Sequence, residues 1–113
     1  MRYVRDEVWR SLTIREKQLC ELIGTKNRKS KKFLKLFMQT SEREVRRYVE
    51  SCRRKGVPIH SDTFKKGYLI DETRVKDITH EYKKRINTMA KTIASLENTN
   101  MDQVILDIKK DQH

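Results

Sequence analysis

Residues 41–70 read SEREVRRYVESCRRKGVPIHSDTFKKGYLI, and their patterning changes period half-way along. Ser41-Glu42-Arg43-Glu44 is an S/T-x-x-E capping box, in which a hydroxyl and a carboxylate satisfy backbone donors at a helix start. Val45, Tyr48, Val49 and Cys52 then recur at i, i+3, i+4 and i+7, which is one face of a helix. Arg53, Arg54 and Lys55 suit the negative end of that helix, and Gly56 stops it. Beyond Gly56 the helical spacing is gone. Val57-Pro58-Ile59-His60 is short and β-compatible, with Pro58 confining it to an edge or to a strand's first residue. Residues 61–67 are turn-like and end in glycine, and Tyr68-Leu69-Ile70 is a second β run. A capped helix followed by a β-hairpin with a basic tip is the expectation.

Upstream, Ser30 is placed to cap a short helix over about 31–38, with Phe33, Leu34 and Phe37 facing inward. A turn of about three residues joins it to the helix after Ser41, which is a helix-turn-helix pattern. Before it lies a basic connector, TKNRKSKK, at 25–32. Thr13-Ile14-Arg15-Glu16 is another capping box, with Leu19, Leu22 and Ile23 as the buried stripe and Gly24 as the stop. Val4, Val8, Trp9 and Leu12 suit a short amphipathic helix at the start of the chain.

Downstream, Val75, Ile78, Tyr82, Ile86, Met89, Ile93 and Leu96 recur at steps of three and four, predicting one helix from about Thr73 to Leu96. At 1.5 Å per residue it is ~35 Å long, more than a small domain needs to cover itself. Asn98-Thr99-Asn100 interrupts it, and Met101, Val104, Ile105 and Ile108 mark a final short helix. The expected fold is mostly α with a small β-hairpin wing: a winged helix-turn-helix over residues 1–70, then a helical C-terminal extension over 71–113.

On these residues the chain resembles the bacterial winged helix-turn-helix regulators of the biotin-repressor type. Ser41, Val45, Val49, Gly56, Ile59, Gly67, Tyr68 and Leu69 carry the resemblance, which extends over about residues 13–70. It implies a DNA-binding domain with a recognition helix and a wing. One departure stands out, because the turn between the helices often has glycine followed by an apolar residue and here has Gln39-Thr40.

Charge points the same way independently. The chain has a formal net charge of +11, and residues 26–66 alone hold 14 Lys/Arg against four acids, Glu42, Glu44, Glu50 and Asp62. Residues 67–113 are balanced, with eight charges of each sign. A positive field confined to one segment calls for a polyanionic partner, because each cation laid on a phosphate releases a condensed counterion. On a helical wheel the face opposite Val45 carries Arg43, Arg47, Glu50 and Arg54, with Arg46 at its flank. Arg43, Arg46 and Arg47 are the candidates for base contacts, since guanidinium bonds guanine O6 and N7 in bidentate fashion. Arg54 and Lys55 are assigned to phosphate. Glu50 either accepts from cytosine N4 or orders Arg46 or Arg54 by i,i+4 pairing. Lys65 and Lys66 at the wing tip, and Lys26, Arg28, Lys29, Lys31 and Lys32 around the first helix of the pair, are further phosphate candidates.

Catalysis has little support in the sequence. His60, His80 and His113 share no ligand spacing with each other or with Cys20 and Cys52, and there is no C-x-x-C, H-E-x-x-H or P-loop. Both cysteines read as small core residues, reduced in a cytoplasm. No cofactor, metal, small-molecule effector or membrane span is expected. The start, MRYVRDEVWRSL, lacks the apolar run of a secretory signal. The expected setting is a bacterial or phage-encoded cytoplasmic protein associated with the nucleoid.

The stripe of the long helix fits a partner helix. Either it pairs with its twin, making a homodimer through Ile78, Tyr82, Ile86, Met89, Ile93 and Leu96, or residues 101–110 fold back along it. The first is preferred, because the stripe is too long for ten residues to cover. The functional expectation is sequence-specific binding of double-stranded DNA by a transcriptional regulator. The alternatives are a replication or recombination accessory factor of a mobile element, whose tail recruits a protein, and a winged-helix protein–protein adaptor.

Overall fold

The computed structural model describes residues 4–62, 64 and 66–111. Four helices come first: α1 (Asp6–Ser11), α2 (Ile14–Ile23), α3 (Lys31–Met38) and α4 (Glu42–Arg54). A two-stranded antiparallel sheet follows, of β1 (Ile59–Ser61) and β2 (Tyr68–Ile70), paired Ile59 to Ile70, His60 to Leu69 and Ser61 to Tyr68. After a 3₁₀ turn at Glu72–Arg74 come α5 (Val75–Glu97) and α6 (Met101–Asp111). The fold is therefore mostly α, with a small hairpin, a long C-terminal helix and a shorter terminal one, as expected. The chain divides into two compact units, Met1–Ile78 and Thr79–His113.

The first unit is built on one apolar cluster. Leu19, Cys20 and Ile23 of α2, Leu34 and Met38 of α3, and Val45, Val49 and Cys52 of α4 meet there. Val57, Ile59, Tyr68 and Ile70 close the cluster from the hairpin, and Val4, Val8 and Leu12 from the N-terminal segment. The two cysteines are reduced and buried, with their sulfurs 3.9 Å apart between α2 and α4. The Cys20 contact, then burial, push the Cys52 thiol well up, so it stays protonated and packs as a small apolar group.

Local chemistry sets the helix ends. Thr13 and Glu16 form the full reciprocal capping box on α2. On α4 only the Ser41 half is made, its hydroxyl accepting from Glu44 N–H at 3.1 Å, while the Glu44 carboxylate turns to Arg47 at 3.2 Å. The helix-turn-helix turn is a Schellman motif, in which Thr40 N–H donates to Lys35 O and Gln39 N–H to Leu36 O. Gln39 holds the left-handed conformation, φ 52°, where glycine carries no Cβ penalty. The departure from the glycine-bearing pattern thus leaves the turn geometry intact and places a strained residue in it.

Two features differ from the sequence expectation. On α3 the buried residues are Leu34 and Met38, with Phe33 half-buried, whereas Phe37 is 56% exposed. The run FLKLFM is apolar at five of six positions, so spacing alone does not choose the face; contact with α2 and α4 does. The connector at 25–32 is also more than a linker. Lys29 pairs with Tyr68 through two backbone hydrogen bonds of 2.9 Å, adding a one-residue third rung to the sheet. Gly67 makes this approach possible: at φ 119°, a Cβ there would stand 2.7 Å from Lys29 O.

In the second unit, α5 ends in another Schellman turn, at Asn98 (φ 51°), and the Asn100 side chain accepts from Gln103 N–H at 2.8 Å to start α6. Val104 of α6 is buried with Ala90 and Ala94 of α5, and Met101 lies against them. Residues 101–111 therefore do fold back. They cover the alanine side of α5, and Ile86, Met89 and Leu96 of the large apolar stripe remain exposed.

Candidate nucleic-acid interface

The inner face of α4 is held by cross-helix polar contacts as well as by its apolar residues. Glu16, in the first turn of α2, receives the Lys55 ammonium at 2.6 Å, the Ser51 hydroxyl and the Thr13 backbone N–H at 2.7 Å. Burial pushes this carboxyl up, but Lys55, Ser51 and Thr13 together outweigh it and hold its pKa at about 2. Lys55, expected on phosphate, is therefore engaged within the fold. Arg53 is also turned inward: its Nε donates to Ile59 O at 2.8 Å, and its guanidinium lies 3.5 Å from Glu50. Glu50 pairs at i+3 with Arg53, not at i+4 with Arg46 or Arg54.

What α4 leaves outward is basic. Arg43, Arg46, Arg47 and Arg54 are all exposed, as the wheel predicts. Arg47 has the exposed pair with Glu44, a contact of small worth that a stronger acceptor displaces. Arg43, Arg46 and Arg54 make no ion pair with a described residue. Burial pushes the Tyr68 hydroxyl up, and the charges of Arg53 and Arg46 offset part of that rise.

The hairpin is clamped from the connector. Arg28 Nη1 donates to His60 O and to Gly67 O at 3.3 Å each, and its Nη2 meets His60 Nδ1 at 2.7 Å. Since guanidinium only donates, Nδ1 is the acceptor and the imidazole carries its proton on Nε2. Burial, then the charges of Arg28 and Arg74, hold the pKa of His60 below its ordinary value. Arg28 is thus a brace of the wing, a second departure from the phosphate assignment. At the tip, Asp62 accepts from Phe64 N–H at 2.7 Å, and Phe64 is 95% exposed. Lys66 is exposed beside it, and Lys65 lies outside the described residues.

On the other flank, Lys26 and Lys32 are exposed and Lys31 is half-buried. The Lys29 amine reaches Ile23 O at 3.3 Å and Asn27 O at 2.9 Å, around the end of α2. Lys35, not singled out from the sequence, is exposed on α3 together with Leu36. Arg15 was missed too. It donates to Met38 O at 2.7 Å, capping α3, and lies 5.7 Å above the Tyr48 ring, so one side chain ties α2 to both helices of the turn motif. No spacing rule marks such a residue, because its partners are 23 and 33 positions away.

The acids explain why the cations remain available. Of the four in residues 26–66, Glu44 and Glu50 face Arg47 and Arg53, and Asp62 caps its own loop. Glu42 stands in the first turn of α4, where a carboxylate complements the positive end of the helix dipole. Among the described residues there is no group of His, Cys, Asp and Glu able to hold a metal ion, and no helix long and apolar enough to cross a membrane.

No family model matches this chain. Neither a curated protein nor a solved structure matches it. The fold has a generic likeness only: a mostly helical domain with an antiparallel hairpin after four helices, winged-helix-like in topology.

Proposed function

We propose that the chain binds duplex DNA, with α4 in the major groove and the hairpin against the backbone or an adjacent minor groove, and that it acts as a sequence-specific transcriptional regulator. One observation carries this reading. The outward face of the second helix of a helix-turn-helix presents Arg43, Arg46, Arg47 and Arg54, while Glu50 is turned to Arg53 and Glu44 makes only an exposed pair with Arg47. In this arrangement Arg43, Arg46 and Arg47 reach base edges, and Arg54, Lys66, Lys31 and Lys32 neutralise phosphates. Phe64, apolar and exposed at the tip beside Lys66, has the shape to lie against sugars at a groove edge. The chemistry is positional, with no bond made or broken. The C-terminal helices serve association, as a homodimer through the stripe from Ile78 to Leu96.

The test is fluorescence anisotropy with random duplex at two salt concentrations and a single-stranded control. Log Kobs is expected to fall with log salt by about 0.9 per phosphate contacted. Absence of duplex binding at low salt overturns the reading. Within it, Arg47→Ala is expected to reduce discrimination between a selected site and random DNA. Lys66→Ala is expected to weaken all sequences alike and flatten the salt slope by about one. Identical behaviour of the two variants would show the recognition face to be misassigned.

A protein–protein adaptor is the second reading, and Leu36 and Phe37 favour it. Both are more than half exposed on α3, where a helix serving phosphate alone has no need of them. An adaptor shows little duplex affinity at ~150 mM salt.

A further inference from the structure

The hairpin of α5 and α6 buries little of itself. Ala90, Ala94 and Val104, with Met101 against them, are its whole apolar cluster among the described residues. So few small side chains bury far less apolar surface than the ordering of some 35 residues requires. The larger surface is still open. At 100° per residue, Ile86, Met89, Ile93 and Leu96 form a stripe centred roughly 100° around α5 from the two alanines. Met89 is 57% exposed and Leu96 82%. Folding back of α6 and pairing of α5, alternatives on the sequence alone, thus use different sides of the same helix.

The stripe is complementary to itself in one direction. With two copies of α5 laid antiparallel and level at Lys91, Ile86 meets the partner's Leu96 and Met89 meets the partner's Ile93. Lys91 itself lies on the opposite side of the helix, away from the seam. Charge selects the same direction. Lys83, Lys84 and Arg85 sit towards one end of the hairpin, whereas residues 92–106 hold Glu97 and Asp102 and no Lys or Arg. Parallel pairing would bring the two cationic clusters together. Antiparallel pairing separates them, and because Lys83 and Glu97 fall on the same edge of the stripe, each Lys83 comes towards the partner's Glu97.

We infer that the exposed stripe of α5 is the seam of an antiparallel, two-fold symmetric dimer, with Ile86 against the partner's Leu96 and Met89 against the partner's Ile93. This rests on the associating role given to the tail and is independent of DNA binding. The test uses the full chain. Sedimentation equilibrium is expected to give a dimer, and Met89→Asp a monomer whose helical circular dichroism falls by no more than the share of α5 and α6. Orientation is read by cysteine cross-linking under glutathione disulfide, with Cys20 and Cys52 silent because they are buried. The double variant Ile86→Cys/Leu96→Cys is expected to form interchain disulfides, and neither single variant to do so. A monomeric wild type overturns both the seam and the association. A dimer that survives Met89→Asp overturns the seam, and a dimer in which each single variant cross-links to itself overturns the antiparallel register.

Discussion

The Glu16 carboxylate shows how one buried acid fastens two helices. It completes the cap of α2 and receives Lys55 and Ser51 of the α4 end, all while 2% exposed. Its folded pKa of about 2 lies below the ~4.3 of an unfolded glutamate, so between those values the unfolded chain holds more protons. The contribution is complete above ~pH 5 and is lost as pH falls towards 2. Glu16→Gln is expected to cost about 1–3 kcal/mol at pH 7, since it leaves Lys55 without its counter-charge. The gap between wild type and variant in urea midpoints should close on acidification; a constant gap would show that the ion pair is not its source. His60 carries the same sign by a different route. Its folded pKa lies below the ~6.5 of an unfolded histidine, so its stability contribution is present above that value and is lost as pH falls through the folded pKa. An NMR titration is expected to find the neutral Nε2–H tautomer of His60 with a midpoint below 6.5. Neither role is legible in the sequence. Glu16 reads there as half a capping box, and His60 as one of three unconnected histidines.

At the scale of elements, the sequence is most informative where the signal is local. Caps at Thr13, Ser30 and Ser41, the inward stripe of α4 and the glycine-terminated turns all depend on neighbours within four residues, and all are present. What escapes the sequence is non-local: the Lys29–Tyr68 rung, the Arg28 clamp, the Arg15 tie and the choice of Met38 over Phe37 on α3. The exposed cations of the candidate site were legible for the same local reason, since burying Val45, Val49 and Cys52 fixes the opposite face of one helix. Which basic residues serve the fold instead was not, because Lys55, Arg53 and Arg28 find their acceptors through tertiary structure. The helix-turn-helix turn allows an element-level test. A non-glycine residue in the left-handed conformation costs about 1–2 kcal/mol, and glycine returns part of the relief through greater unfolded-state entropy. Gln39→Gly is therefore expected to stabilise the protein by about 0.5–1 kcal/mol in chemical denaturation, leaving the turn unchanged. A loss of stability would mean that the Gln39 side chain contributes more than its backbone strain takes away.

On the scale of the whole molecule, charge and apolar surface are segregated along the chain, and each sets one kind of contact. The first unit carries the cationic excess and the second a balanced surface with Ile86, Met89, Ile93 and Leu96 exposed along one stripe. If the first binds DNA and the second joins two copies, their effects multiply. Once one copy is on its site, the other binds from an effective concentration set by the tether, and such linkage raises affinity by about 10²–10⁴-fold when both sites are within reach. A duplex with two suitably spaced copies of a selected site is therefore expected to bind the wild type at least 100-fold more tightly than a duplex with one. Met89→Asp changes no residue of the candidate DNA face, so its affinity for the single site should equal that of the wild type. On the two-site duplex the variant should gain only the factor of about two from counting sites, and the wild type's steeper salt dependence should fall to the single-site slope. Equal gains for both proteins would mean that the tail does not couple the sites, and a loss on the single site would mean that the stripe itself takes part in binding DNA.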